Sequence, residues 1–311
     1  MPKQVVAAVQ EPPWPYRITD DEFALFQALV QQETGIQLPD AKRSLLVGRL
    51  ARRIRELNLK NFGDYYKRVT AEGDQAERTR LFDRIATNET YFFREPKHFD
   101  FLERHVVPSW LNRADARGRR VRVWSAACST GEEPYSVAMT LLARLPGWHI
   151  DILATDLSTY ALQRAQSAMW PIEKASEIPE AHLKAFMLRG TGALVGFMKA
   201  GPELRGLLRF ERVNLHEGLQ RPEAPFDLIF CRNVLIYFSA DGRATVVNKL
   251  IDRLAPDGHF FVGHAETLTN MTDRLRPLEP TIYAADASRR ARSAVDRRSS
   301  LPLHANSGAP L

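Results

Sequence analysis

From Val121 onward the chain repeats one unit: a short apolar run, a close of small or polar residues, then a helical periodicity. VRVWSAA (Val121–Ala127) leads into CSTGEEPYS and a helix over Tyr135–Leu145. HIDILATD (His149–Asp156) leads into a helix from Ser158. LRFERVNL (Leu208–Leu215), FDLIFCRN (Phe226–Asn233) and HFFVGH (His259–His264) read as three further strands, with a helix over Ala240–Leu254 stopped by Pro256 and Gly258. Buried-type strands alternating with helices of this length can satisfy their backbones only in a mostly parallel sheet covered on both faces. The glycine-punctuated stretch near Pro171–Gly206 breaks the alternation and reads as an inserted subdomain.

The first 88 residues follow different rules. Residues 1–16 form a proline-containing arm, and Ile18–Ile85 is helical throughout. Thr19 with Glu22 makes a capping box, followed by Phe23, Phe26, Leu29 and Val30 at helical spacing. A second helix over Ala41–Asn58 puts Leu46, Leu50, Ile54 and Leu57 on one face, with Lys42, Arg49 and Arg53 in a strip beside it. With Arg52, these cations predict a basic ridge suited to an acidic partner surface.

At 311 residues, 44% hydrophobic and 26% charged, the chain is ordinary globular material with room for two domains. No apolar run approaches the length of a membrane span, and the N-terminus lacks a signal-peptide core, so a cytoplasmic protein without membrane insertion is expected. The net charge of +6 sits largely in the ridge helix and in the arginine-rich tail from Ala287, which reads as disordered. Neither stretch is interleaved with aromatics, and no Asn/Asp-Pro-Pro-Tyr motif for a flipped base is present, so no nucleic-acid partner is expected. Cys128 and Cys231 are too few and too far apart for a CxxC site, so neither a metal nor a disulfide is expected.

In open α/β sheets ligands bind beyond the carboxyl ends of the strands. That rule selects the loop Cys128–Pro134, Asp156, Val213–Leu215 and Cys231–Tyr237. An acid at the tip of the second strand is placed to accept from ribose hydroxyls, which points to an adenosine-containing cofactor. NAD would bring a pyrophosphate, and Glu132 and Glu133 would repel it. S-adenosylmethionine brings a sulfonium and an ammonium, which those acids favour. Each residue also has a plainer reading: Asp156, Glu132 and Glu133 as first-turn acids of a helix, Asn214 and Asn233 as turn residues.

NETYFFRE (Asn88–Glu95), VWSAACSTGEEPYS, VNL at 213–215, FDLIFCRNVLIYF at 226–238 and PDGHFFVGHAE at 256–266 closely resemble the chemoreceptor glutamate methyltransferase (CheR) family over about residues 17–286. The resemblance implies a class I S-adenosylmethionine-dependent methyltransferase domain over 89–286, Rossmann-like, with a seven-stranded sheet whose last strand, around Thr281–Ala284, runs antiparallel. It also implies an antiparallel β-subdomain inserted at about 172–207, an all-helical N-terminal domain with linker over 17–88, and a basic tail over 287–311. By the same resemblance, Asn88, Thr90, Arg94, Glu133, Asp156, Asn214, Leu215, Asn233 and Val234 contact the cofactor. Arg94 and Tyr237 lie near the transferred methyl. The ridge of Lys42, Arg49, Arg52 and Arg53 would dock the receptor's helical cytoplasmic region, and the β-subdomain would grip a receptor C-terminal peptide. The implied products are glutamate methyl esters and S-adenosylhomocysteine. A glutamate with a pKa near 4.3 is already ionised at neutral pH, so such a reaction needs alignment rather than a general base. Transfer to another protein or a small acid, and cofactor binding without turnover, are the alternative readings.

Overall fold

The computed structural model describes residues 16–113, 118–268 and 271–286. The expected arm up to residue 15 and the basic tail from 287 lie outside the described residues. The chain forms two compact units that divide between Thr87 and Asn88.

The first unit contains α1 (Asp20–Thr34), α2 (Arg43–Glu56), α3 (Phe62–Thr70) and α4 (Gln75–Ile85). The capping box forms as read: Glu22 N–H donates to Thr19 Oγ1 at 3.1 Å, and Thr19 N–H to Glu22 Oε2 at 2.9 Å. Gly35 ends α1 at φ 72°, a conformation that costs glycine little. Phe23, Phe26, Leu46, Leu50, Ile54, Phe62, Tyr65 and Leu81 are all buried and form the core of this unit.

The ridge on α2 is only partly a ridge. Arg53 forks onto Glu77 of α4, with Nε–Oε1 at 2.8 Å and Nη2–Oε2 at 2.6 Å. Tyr65 and Arg80 donate to the same carboxylate. Arg49 donates to the carbonyls of Ile85 and Ala86, where α4 ends and its last C=O groups need partners. Both cations flank the apolar face, and their long stems reach polar groups on the neighbouring helix instead of water. Arg52 remains 78% exposed, bonded to Glu56 within its own helix. Arg49 and Arg53, expected on the ridge, thus have partners on α4 and tie α2 to it.

In the second unit, α5 (Pro96–Phe101), a π turn over Leu102–Val106 and α6 (Val107–Leu111) precede β1 (Arg120–Ala126). Then follow α7 (Glu132–Arg144), β2 (His149–Asp156), α8 (Thr159–Ser167), β3 (Met169–Pro171), α9 (Glu180–Phe186), β4 (Met187–Arg189), β5 (Phe197–Ala200), α10 (Pro202–Arg205) and β6 (Leu208–Arg212). β7 (Phe226–Cys231), α11 (Ala240–Ile251), β8 (Leu254–Val262), β9 (Leu275–Glu279) and β10 (Ile282–Ala285) complete the unit. The seven-stranded sheet has the order β6-β2-β1-β7-β8-β10-β9, with β10 antiparallel to both neighbours. β3, β5 and β4 form a separate antiparallel sheet within the insertion.

The sequence order reverses between β1 and β7, so the crevice at their carboxyl ends is the topological switch point. Register aligns the tips, with Ala126 opposite both Thr155 and Cys231, and Cys231 opposite Val262. β8 begins at Leu254, five residues before the expected start, and runs through Pro256 and Gly258. A register shift opposite Phe226/Leu228 absorbs the proline, which cannot donate to a ladder. No helix among the described residues is long and apolar enough to cross a membrane.

The Glu77 fork makes a direct prediction. Burial alone would raise this carboxyl, but the Arg53 fork, helped by Arg80 and Tyr65, outweighs it and holds the pKa down to about 2. The stabilisation is therefore complete above an unfolded-state value near 4.5 and disappears as pH falls towards 2. Glu77→Ala should cost about 3–5 kcal/mol by stranding Arg53. Urea unfolding at pH 7 and pH 3 measures both, and the loss should be smaller at pH 3.

Candidate active site at the strand tips

The loop after β1 is wound tightly. Ala127, Ser129 and Gly131 all have positive φ, at 67°, 50° and 99°. Gly131 is required twice over, since a Cβ there would also lie 2.9 Å from Ala165 Cβ on α8. The winding turns Ser129 N–H onto Asp156 Oδ2 at 2.8 Å, while Asp156 Oδ1 accepts from Ser158 N–H at 2.9 Å. Asp156 is thereby fixed at the tip of β2, beside the loop that follows β1. Ser129 Oγ donates to the Asn88 carbonyl at 3.1 Å, and Val213 N–H to the Asp156 carbonyl at 3.0 Å. Asn88, Asp156 and the segment carrying Asn214 and Leu215 are thus stitched to one another. Asn214 Oδ1 accepts from His216 N–H, so this side chain does serve its own turn, as the plainer reading had it.

The two acids that open α7 part ways. Glu132 is buried, takes the Thr130 hydroxyl at 2.6 Å and pairs with Lys174 of the insertion at 2.8 Å. Glu133 turns towards the switch point, where Ser125 Oγ donates to it at 2.7 Å and Arg232 Nη1 lies 3.2 Å from its other oxygen. Arg232 is 1% exposed. Its Nη2 also pairs with Glu95 Oε2 at 3.0 Å and donates to the carbonyl of Arg94. One guanidinium therefore holds two buried carboxylates and the backbone of the loop that carries Arg94. Burial pushes the Glu133 carboxyl up, against the pull of Arg232 and Ser125. Burial acts likewise on Glu95, but there Arg232 and the backbone N–H of His264 prevail and hold it below the usual carboxylate range.

The loop itself is strained and pinned. Phe93 and Glu95 have φ 52° and 59°. Phe92 N–H donates to Glu177, Phe93 N–H to Ser136 Oγ, and Lys174 to the Thr90 carbonyl. The Arg94 head lies over the Tyr91 ring at 5.4 Å and donates to the Glu89 carbonyl at 3.3 Å. After β7, Asn233 adopts φ 59°, its N–H donating to Glu266 Oε2 at 2.8 Å and its Nδ2 to Glu95 Oε1 at 3.3 Å. Gly263 N–H donates to the same Glu266 oxygen, and Ile236 N–H to the other. Val234 enters the 3-10 turn Leu235–Tyr237, and Tyr237 is half-buried. Cys128 and Cys231 are free and buried, and burial pushes both thiols well up.

Residues 88–284 match the family model described as "CheR methyltransferase, SAM binding domain", and residues 21–86 match "CheR methyltransferase, all-alpha domain". A "Chemotaxis protein methyltransferase" of Salmonella typhimurium is 37% identical over 271 residues, covering 86% of this chain and 91% of that protein. The protein of the same name from Escherichia coli is 36% identical with the same coverage. "Chemotaxis protein methyltransferase 2" of Pseudomonas aeruginosa is 35% identical, covering 86% of this chain and 94% of that one. The chain belongs to the CheR methyltransferase family. The mostly parallel sheet read from the strand–helix alternation, and the seven-stranded methyltransferase domain with its inserted antiparallel subdomain that the resemblance implied, are the observed ones, and S-adenosylmethionine is the cofactor.

The donor set fits that cofactor. Two acids, Glu133 in the first turn of α7 and Asp156 at the tip of β2, stand beside the crevice at the carboxyl ends of the strands, and carboxylates there suit a ligand bearing an ammonium and ribose hydroxyls. Three residues of this network, Glu95, Arg232 and Glu266, carried no role in the sequence reading. The available signal was positional, a charged residue directly after a largely buried strand, as Arg232 follows FDLIFC.

Arg232→Met leaves Glu95 and Glu133 without their shared cation. Stability to urea should fall by about 3–5 kcal/mol. Calorimetric affinity for S-adenosylhomocysteine, measured below the unfolding transition, should fall at least tenfold. Gly131→Ala should weaken the same affinity while leaving the Arg232 network intact.

Proposed function

We propose that this enzyme methylates glutamate side chains on the helical cytoplasmic region of chemoreceptors, giving glutamate methyl esters and S-adenosylhomocysteine. One observation carries the reading: the Arg94 loop is fixed by Arg232 to the same guanidinium that holds the cofactor-facing acid Glu133. A cation carried on a loop anchored in this way supports a reading in which the substrate carboxylate is aligned beside the cofactor rather than activated by a base. Family membership and the chemotaxis names of the relatives support the same substrate class. A cytoplasmic location follows from that substrate.

Bound S-adenosylmethionine supplies an electrophilic methyl group on a cationic sulfonium. Glu133 and Asp156 hold its amino and ribose ends, with Asn88, Thr90, Asn214, Leu215, Asn233 and Val234 lining the remainder. Arg94 pairs with the substrate carboxylate, which is ionised at neutral pH and needs no proton removed. Tyr237 orients that carboxylate through its hydroxyl. Alignment of this kind accounts for roughly 7–11 kcal/mol of a barrier.

Substrate docking falls to Lys42 and Arg52 on α2, since Arg49 and Arg53 are committed within their unit. The small sheet suits an extended receptor C-terminal peptide. β3 and β4 are its edges, and Leu188, Leu194 and Val195 beside them are 54%, 45% and 71% exposed.

Labelled cofactor, purified enzyme and receptor, followed by mild base, test the reaction, since carboxyl esters release methanol and N-methyl products do not. Release of volatile label is expected, and base-stable label would mean another acceptor. Arg94→Ala should lower turnover about 100-fold, and Tyr237→Phe about tenfold, with cofactor affinity reduced less than turnover. Wild-type rates in both variants would remove these roles. Leu188→Glu should slow methylation of receptors bearing the C-terminal peptide and leave receptors lacking it unchanged.

A further inference from the structure

Among the described residues, Glu95, His98 and His264 bring one ligand atom each within 4.8 Å of one another. Glu95 and His98 are buried at 7% and 1% exposure, whereas His264 is 60% exposed. Three details distinguish this group from an incidental cluster. First, its chemistry is fixed. Thr281 Oγ1 donates its only proton to the Pro280 carbonyl at 2.5 Å, so at 2.9 Å from His98 Nε2 it accepts the ring N–H. The bare lone pair of His98 is then on Nδ1, facing Glu95 Oε2 at 3.4 Å. Second, His98 Nδ1 has no hydrogen-bond partner, and Glu95 Oε2 accepts no hydrogen bond beyond its ion pair with Arg232. Two lone-pair-bearing atoms thus face each other in a buried place. Third, the spacing is that of a metal's ligands. Two atoms each about 2.05 Å from a tetrahedral Zn²⁺ lie about 3.3 Å apart. The observed separations from Glu95 Oε2 are 3.4 Å to His98 and 3.9 Å to His264, whose exposed ring is free to close the remainder.

We infer that Glu95, His98 and His264 form a three-ligand site for a divalent cation of the zinc type, reached from the solvent side of His264. A surface cavity of about 670 Å³, lined in part by His264, Glu266, Glu279 and Thr281, provides the approach. The neighbouring guanidinium does not forbid it. Arg232 is neutralised by Glu95 and Glu133 together, and a carboxylate oxygen has two lone pairs, enough for an arginine and a cation. A cysteine-based zinc motif is absent, and these ligands come instead from the turn before α5, from α5 itself and from the loop after β8, which only the fold brings together. Bound there, the ion would tie the Phe93–Glu95 turn to that loop.

Chelator-treated full-length protein titrated with Co²⁺ tests this. One equivalent should develop visible d–d absorption of tetrahedral intensity, and Zn²⁺ should bleach it. His264→Ala, at an exposed position, should lower Co²⁺ affinity at least 100-fold, and Thr281→Val, which frees the His98 ring, about 10- to 100-fold. His149→Ala, at an exposed histidine elsewhere, should leave the spectrum and affinity as in wild type. Saturating Zn²⁺ should raise the melting temperature of wild type by several degrees and that of His264→Ala by none. Absence of the absorption band, or a band unaltered in His264→Ala, would overturn the site, as would equal losses in His264→Ala and His149→Ala.

Discussion

A single buried guanidinium organises the carboxyl ends of this sheet. Arg232 leaves β7 at the switch point and neutralises Glu133 on one side and Glu95 on the other, with the Arg94 carbonyl as its third partner. Each of those carboxylates, left alone at that depth, would have to give up its charge. With the guanidinium between them, two acids from segments far apart in sequence coexist within one small volume. The strained turn at Phe93–Glu95 is affordable only because it is fastened at so many points.

The same logic, at lower stakes, runs through the helical unit. Glu77 is the buried acid there and Arg53 its fork, with Arg49 finishing the carbonyl end of α4. Both units thus use arginine as an internal fastener between elements, so the positive formal charge overstates how much cation is offered to a partner.

What was legible in the sequence and what was not divides along physical lines. The parallel sheet was legible because buried strands and helices leave different periodicities, and the position of Asp156 at the tip of the second strand because strand tips can be located without knowing any contact. The capping box at Thr19 was legible because it is local. Arg232, Glu95 and Glu266 were not, because their partners lie on other segments and only the fold brings them together. The side of α2 on which Arg49 and Arg53 work was hidden too, since a helical wheel fixes where a stem starts and not where a long side chain ends. β8 defeated the pattern because Pro256 reads as a terminator, while a register shift lets the strand carry it. β9, with Pro277 in its middle, went unread for a similar reason.

The insertion is not an independent appendage. Lys174 bridges Glu132 and the Thr90 carbonyl, and Glu177 receives the Phe92 N–H, so the 3-10 stretch behind β3 is riveted to both walls of the crevice. Mechanical load on the small sheet is therefore transmitted to the turn bearing Arg94 and to the first residues of α7 along paths only a few bonds long. A tug at that edge and a shift in the Phe93–Glu95 turn become the two ends of one lever.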